Sequence, residues 1–201
     1  HGRRLGDPLG GADSLRQRLA AVPGVQQATP AVVDFALLQG TGDAAGAVDG
    51  VLVWGTPADG QPFVAQRITS GRFQFTSTSR GRPGIVLGAR LAERLGLHEG
   101  DRVTAYSTRG LQGGQIQSRP RVKQFVVAGV FETGLGDFDD RFAYVDLAAA
   151  RDLFQYGADE VTRIDLTLED RTQARDLATS IAEDIGPPVF ARPIEDVYRG
   201  L

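Results

Sequence analysis

Residues 83–106 constrain this chain more than any other stretch. Gly84, Ile85, Val86 and Leu87 follow a proline as a short apolar run, the pattern of a buried strand. Gly88 interrupts it. From Ala89 to Leu95 the composition turns helical, with Leu91 and Leu95 on one face and Arg90, Glu93 and Arg94 on the other. Gly96 stands where a left-handed helix cap is wanted, and Leu97 can fold back on the last turn. His98 to Asp101 is turn chemistry, and Val103 and Ala105 alternate with Thr104 and Tyr106 as a second strand. A helix this short does not stand alone in water. Burying its leucines, at roughly 1.5–3 kcal/mol each, is what holds it. The unit therefore has to pack against a sheet.

The flanking segments supply that sheet. A first helix carries Leu15, Leu19 and Ala20 on one face, with an N-cap expected at Asp13 or Ser14 and a stop at Pro23 and Gly24. Strands are expected over 31–38, starting after Pro30, then 51–55, 122–131, 142–145 and 161–168. Gly129 marks a bulge or a close backbone approach. Asp146 should cap a helix over 147–154, which Gly157 ends. A last amphipathic helix over 172–185 buries Ala174, Leu177, Ile181 and Ile185 before Pro187 and Pro188 stop it.

The totals exclude several functions. With 201 residues the chain can build a real core, in one large or two small domains. A net charge of −3 gives no electrostatic case for nucleic acid. Without cysteine there is no disulfide and no thiolate metal site. No apolar run approaches membrane-spanning length, and no leader pattern opens the sequence, so the chain is expected to be soluble as it stands. The glycine-rich stretch 40–46 lacks the Gly-Lys-Ser/Thr of a phosphate loop and precedes a strand, so it reads as a hairpin connection.

Two strings carry a family resemblance: GIVLGARLAERLGLHEGDRVTAY at 84–106 and RVKQFVVAGVFETGLGDFDDRFAYVDLAAARDL at 121–153. Both resemble the extracytoplasmic domain of lipoprotein-releasing ABC-transporter permeases (LolC/LolE type), within the wider MacB/FtsX-like superfamily. The resemblance implies an α+β fold, a MacB-like periplasmic core. In it a βαβ-type, porter-like subdomain is built from both chain ends, 1–77 and 158–201. A mostly-β, sabre-like subdomain, 78–157, is inserted between them. It implies a periplasmic domain of an inner-membrane protein, cut from between two membrane helices. Its partners would be an ATPase subunit and a paired permease, reached through those helices, a lipoprotein substrate, and a soluble lipoprotein carrier or an adaptor protein. No cofactor, metal or catalytic residue is implied. ATP would be hydrolysed on the separate subunit. The same resemblance gives the acidic turn at 136–140 a structural role.

The candidate site is the long connection over 107–120, more than a regular hairpin needs. Its arms can reach about 20 Å at ~3.3 Å per residue. Leu111 and Ile116 stand alone among polar residues, which suits a grip on another surface. Arg119 and Arg121 bracket Pro120 at the base and can pair carboxylates on a partner. With Arg109 and Gln115 these make the expected partner-binding set: Arg109, Leu111, Gln115, Ile116, Arg119, Pro120 and Arg121. The resemblance sets this connection in the position of a carrier-recruiting hook. Three other features read as structural. Asp137, Asp139 and Asp140 lack a calcium-loop frame. His98 lies in a turn, where a hydrolase triad would need it beside a serine and a buried carboxylate. Trp54 and Phe35 are expected in the core, since aromatics dominate core burial.

Overall fold

The computed structural model describes residues 8–40, 46–76, 81–109, 111–112, 115–116, 121–185 and 191. In chain order the elements are α1 (Ala12–Ala20), β1 (Val25–Gly40), β2 (Val48–Thr56), α2 (Pro62–Ala65), β3 (Ile68–Gly71), β4 (Gly84–Gly88), α3 (Ala89–Leu95) and β5 (Arg102–Ser107). They continue with β6 (Leu111–Gln112), β7 (Gln115–Ile116), β8 (Val122–Phe131), α4 (Gly136–Arg141), β9 (Phe142–Asp146), α5 (Leu147–Phe154), β10 (Arg163–Leu168) and α6 (Ala174–Ile185). The fold is α+β.

Six strands close on themselves. β1 pairs antiparallel with β2, and β2 parallel with β9. β9 pairs antiparallel with β4, and β4 parallel with β8. β8 pairs antiparallel with β5, which returns to β1. A barrel this small is filled by its own side chains. Val32, Ala36, Leu38, Val51, Val53, Ile85, Leu87, Val103, Ala105, Phe125, Val127, Ala143 and Val145 form that interior. The alternate residues Val33, Trp54, Val86, Phe131, Phe142 and Tyr144 point outward into a second, aromatic core, covered by Val64 of α2, Phe73, Phe75 and Phe138 of α4.

The unit that organised the sequence is present as read, and it has a twin. β4 runs straight into α3, and β9 into α5; both helices start from an extended N-cap and end on a left-handed residue. Since β4 and β9 are antiparallel, the helices emerge at opposite ends of the barrel. Leu91 and Leu95 of α3 and Leu153 and Phe154 of α5 join the barrel interior. The two helices are its plugs. Gly96 caps α3 as expected, and the Asp146 carboxylate accepts the Ala148 N–H to cap α5. The end of α5 differs: Gln155, at φ 58, takes the left-handed cap that Gly157 was expected to supply.

β1 is longer than its apolar run suggested. Residues Val25 to Ala31 pair with β10, and Val32 to Gln39 pair with β2. The first half, with β10, α1 and α6, makes a smaller layer around Leu19, Ala28 and Ile181. The boundary expected at 77/78 falls inside the barrel's own strand set. β2 and β3 precede it, yet pair with β9 and β8. The N-cap of α1 is also not where local chemistry put it. Gly11 takes the cap position with φ 66, while Asp159, far along the chain, accepts the Ala12 and Asp13 N–H groups.

Candidate partner-docking hairpin

β5 and β8 are the arms of a hairpin, and the connection between them holds a second pairing of its own. Tyr106 pairs with Val122, and the Ser107 N–H donates to the Arg121 carbonyl at 2.9 Å. Further out, Leu111 pairs with Ile116 and Gln112 with Gln115 in a separate ribbon, β6–β7. Only Gly113 and Gly114 stand between them in sequence, the residue type a two-residue hairpin connection needs. The returning arm carries one residue more than the outgoing one, so the ribbon is out of register with the barrel pair.

Of the expected contact residues, Leu111, Gln115 and Ile116 are members of that ribbon. Arg121 is exposed at the base. Arg119 and Pro120 lie outside the described residues. Arg109 has a contact inside the chain: its Nη1 lies 3.4 Å from the Asp34 carboxylate, and its guanidinium sits 4.1 Å from the centre of the Tyr156 ring. The Tyr156 hydroxyl donates to the same carboxylate at 3.0 Å. Neither Asp34 nor Tyr156 was signalled by the sequence, because they join Arg109 from distant segments and match no motif. A second tie holds the base. Lys123 on β8 pairs with Asp152 on α5, and that hydrogen bond, with Arg121 nearby, holds the Asp152 carboxyl below its ordinary value.

The barrel wall beside the hairpin exposes apolar side chains. Phe35, expected in the core, is 40% exposed, because β1 turns Phe35 and Leu37 away from the barrel interior. Its ring lies over Gly50, where a Cβ would stand 2.4 Å from Cζ. Leu37 is opposite Tyr106, and Tyr106 opposite Val122, so an apolar row crosses three strands at the hairpin's foot. Trp54 is buried as expected, stacked on Tyr144 and tilted against Phe142, each with ring centres 5.8 Å away.

The remaining sequence candidates have local partners. The buried Asp139 carboxylate accepts the Thr133 N–H, the Thr133 hydroxyl and the Gly134 N–H, which builds the turn before α4. Asp140 and Asp49 engage Arg94 across the α3 end of the barrel, at the edge of an open groove of about 540 Å³ floored by Phe35, Gly50 and Leu52. Arg141 also lines the groove, so two carboxylates face two guanidinium groups there and the lining carries no net charge. His98 is 87% exposed in its turn, 3.6 Å from Asp101. That is a solvated pair, not a buried triad. Among the described residues no group of His, Cys, Asp and Glu is arranged to hold a metal ion. No helix among them is long and apolar enough to cross a membrane.

Known proteins place this architecture. The family model for the MacB-like periplasmic core domain matches residues 3–184. The chain is 30% identical over 183 residues to "Lipoprotein-releasing system transmembrane protein LolC" of Xylella fastidiosa, covering 89% of the chain and 43% of that protein. It is 32% identical over 175 residues to the protein of the same name from Neisseria meningitidis, covering 84% and 40%. The chain thus spans less than half the length of these relatives. Among solved structures, the periplasmic region of MacB from Actinobacillus actinomycetemcomitans is similar at a TM-score of 0.54 and 14% identity, over 88% of this chain and 74% of that one. The extracellular domain of the ABC-type transporter YknZ from Gram-positive bacteria is similar at a TM-score of 0.53 and 18% identity, over 92% and 87%. The chain belongs to the MacB-like periplasmic core domains, the periplasmic part of inner-membrane ABC-transporter permeases.

Proposed function

We propose that this domain serves lipoprotein release from the inner membrane. It works without bond chemistry of its own, by handling a lipoprotein at the membrane surface and docking a soluble carrier through the hairpin over 107–120. ATP hydrolysis belongs to a separate subunit. Its closure moves the membrane helices that flank this domain, and two such domains approach to displace the substrate. In this reading the chain ends and β10 form the membrane-proximal porter-like part, and the barrel the outer part. The observation that carries the docking role is the paired ribbon β6–β7, which lies in the connection between β5 and β8. The named relatives at 30% and 32% identity support the lipoprotein system. An efflux permease coupled to an adaptor is the second reading; its support is fold likeness at 14% identity, which is weaker.

The test is deletion of residues 111–117 and measurement of binding to the periplasmic lipoprotein carrier encoded in the same genome. Loss of binding is expected with the melting temperature unchanged. Undiminished binding removes the docking role. A gene for an adaptor protein beside the full-length gene, in place of a carrier gene, favours the efflux reading.

A further inference from the structure

The hairpin's foot is tied down by a polar cluster that the docking role does not itself require. Along one edge of β1, backbone pairing with β10 ends at Ala31 and pairing with β5 starts at Ala36. Side chains bridge the interval. The Thr162 hydroxyl oxygen accepts the Val33 N–H at 2.7 Å. The Thr108 hydroxyl donates to the Phe35 carbonyl at 2.9 Å. Between them the Asp34 carboxylate accepts from the Phe35 N–H at 2.8 Å, from the Tyr156 hydroxyl at 3.0 Å and from Arg109 at 3.4 Å. Asp34 is 9% exposed and Tyr156 7%, so a docked protein reaches neither directly. The three residues come from three places: Arg109 from the hairpin, Asp34 from the barrel wall, Tyr156 from the loop after α5.

A carboxylate in such a place is costly to leave without its cation. If the hairpin swings outward, Arg109 leaves Asp34 and also gives up the face of Tyr156. In that move the carboxylate keeps the Phe35 N–H and the Tyr156 hydroxyl but loses its guanidinium. We propose that Asp34 and Tyr156 are positioning residues: acting through Arg109, they lock the hairpin in the posture that its partner meets. The link to a partner rests on the docking role proposed above; the lock itself does not.

The chain has no cysteine, so two introduced ones label cleanly. Spin labels at Gln112→Cys on the ribbon and Val48→Cys on the barrel report the hairpin's posture as a distance distribution. In the unsubstituted background a single narrow distribution is expected. Tyr156→Phe removes one hydroxyl and Asp34→Asn removes the charge; each is expected to broaden the distribution while the melting temperature stays within a few degrees. Arg109→Lys keeps the charge but loses the planar fork, and is expected to fall between them. If the competent posture drops to about one third of the population, carrier binding weakens about threefold. Unchanged distributions in both Tyr156→Phe and Asp34→Asn overturn the lock. Should Asp34→Asn fail to fold, Tyr156→Phe and Arg109→Lys decide. A broadened distribution with unchanged carrier affinity upholds the lock and removes the docking role.

Discussion

Gly55 lies where β2 passes beneath α5, and it is the position at which adding one methyl group tests the barrel plug. A Cβ built there would stand 2.2 Å from the Ala150 Cβ and 3.5 Å from the Leu147 Cα. Carbon atoms in contact settle at about 3.5–4.0 Å, so Gly55→Ala forces α5 away from the strand by roughly 1.5 Å. The helix has little room to yield, because Ala149, Ala150, Leu153 and Phe154 are all buried against the barrel. Overpacking of this kind costs about 1–3 kcal/mol. For a chain of 201 residues that is a fall in melting temperature of about 2–12 °C. Ala150→Gly removes the opposing methyl. Alone it costs about 1 kcal/mol in helix propensity and about 0.8 kcal/mol in lost burial. The double variant returns a methyl to the same space from the other side, so it is expected to be no less stable than Ala150→Gly alone. The coupling energy is then about 1–3 kcal/mol. Urea unfolding followed by far-ultraviolet circular dichroism gives the free energies. Fluorescence of Trp54, the chain's single tryptophan and the neighbour of Gly55, gives a local check. Strict additivity of the two substitutions, or a Gly55→Ala variant as stable as the parent, refutes the seating of α5 on β2.

Asp139→Ala leaves two backbone N–H groups and a hydroxyl without their buried acceptor and is expected to cost about 3 kcal/mol, with Asp139→Asn milder; a loss under 1 kcal/mol by urea unfolding contradicts the turn's dependence on that carboxylate. Leu95→Ala opens a cavity between α3 and the barrel and is expected to cost about 2–5 kcal/mol by the same assay. Lys123–Asp152 is half in solvent, so a double-mutant cycle is expected to return only a few tenths of a kcal/mol. Because Lys123 lowers the Asp152 carboxyl, that contribution is present above the unfolded value of 3.8 and is lost as pH falls through the lower folded value. Asp165 has the opposite sign. Burial raises its carboxyl above 3.8 against the pull of Arg163, so the fold holds that proton more tightly than the unfolded chain does. Stability declines as pH rises from 3.8 through the raised value, and Asp165→Asn is expected to flatten that slope in urea midpoints measured against pH.

Where one segment's chemistry was enough, the sequence was a sufficient guide. The strand, helix and glycine cap of 84–96 formed as read, and so did the helix after Asp146, because each depends on residues within a few positions of one another. The ribbon at 111–116 was legible as a long, polar, glycine-containing connection, but its pairing was not, since two residues per arm carry no periodicity. The α1 cap was misplaced for a different reason. Asp13 and Ser14 are good cap residues, but Asp159 reaches the helix end from across the chain and satisfies the N–H groups they would have served. Arg109 was expected among the partner contacts, and its contact with Asp34 was not legible because that carboxylate lies far away in sequence, on β1.

The way β1 is shared between two layers explains the architecture. Pattern reading assumes that one strand belongs to one sheet, with one face in and one face out. In β1 the run Ala31, Val32, Val33 and Asp34 is buried on both faces. Val32 enters the barrel interior while Ala31 and Val33 enter the aromatic core outside it. Continuous burial of that kind marks the point where the strand leaves β10 and joins β2. The strand expected over 31–38 covers this run but stops short of Val25–Pro30, the part that pairs with β10. The same four residues include Asp34, so the place where β1 changes sheets is also the place where the hairpin's foot is fastened. One continuous backbone thus connects the layer built from the chain ends to the anchor of the hairpin, with no loop between them to absorb a displacement.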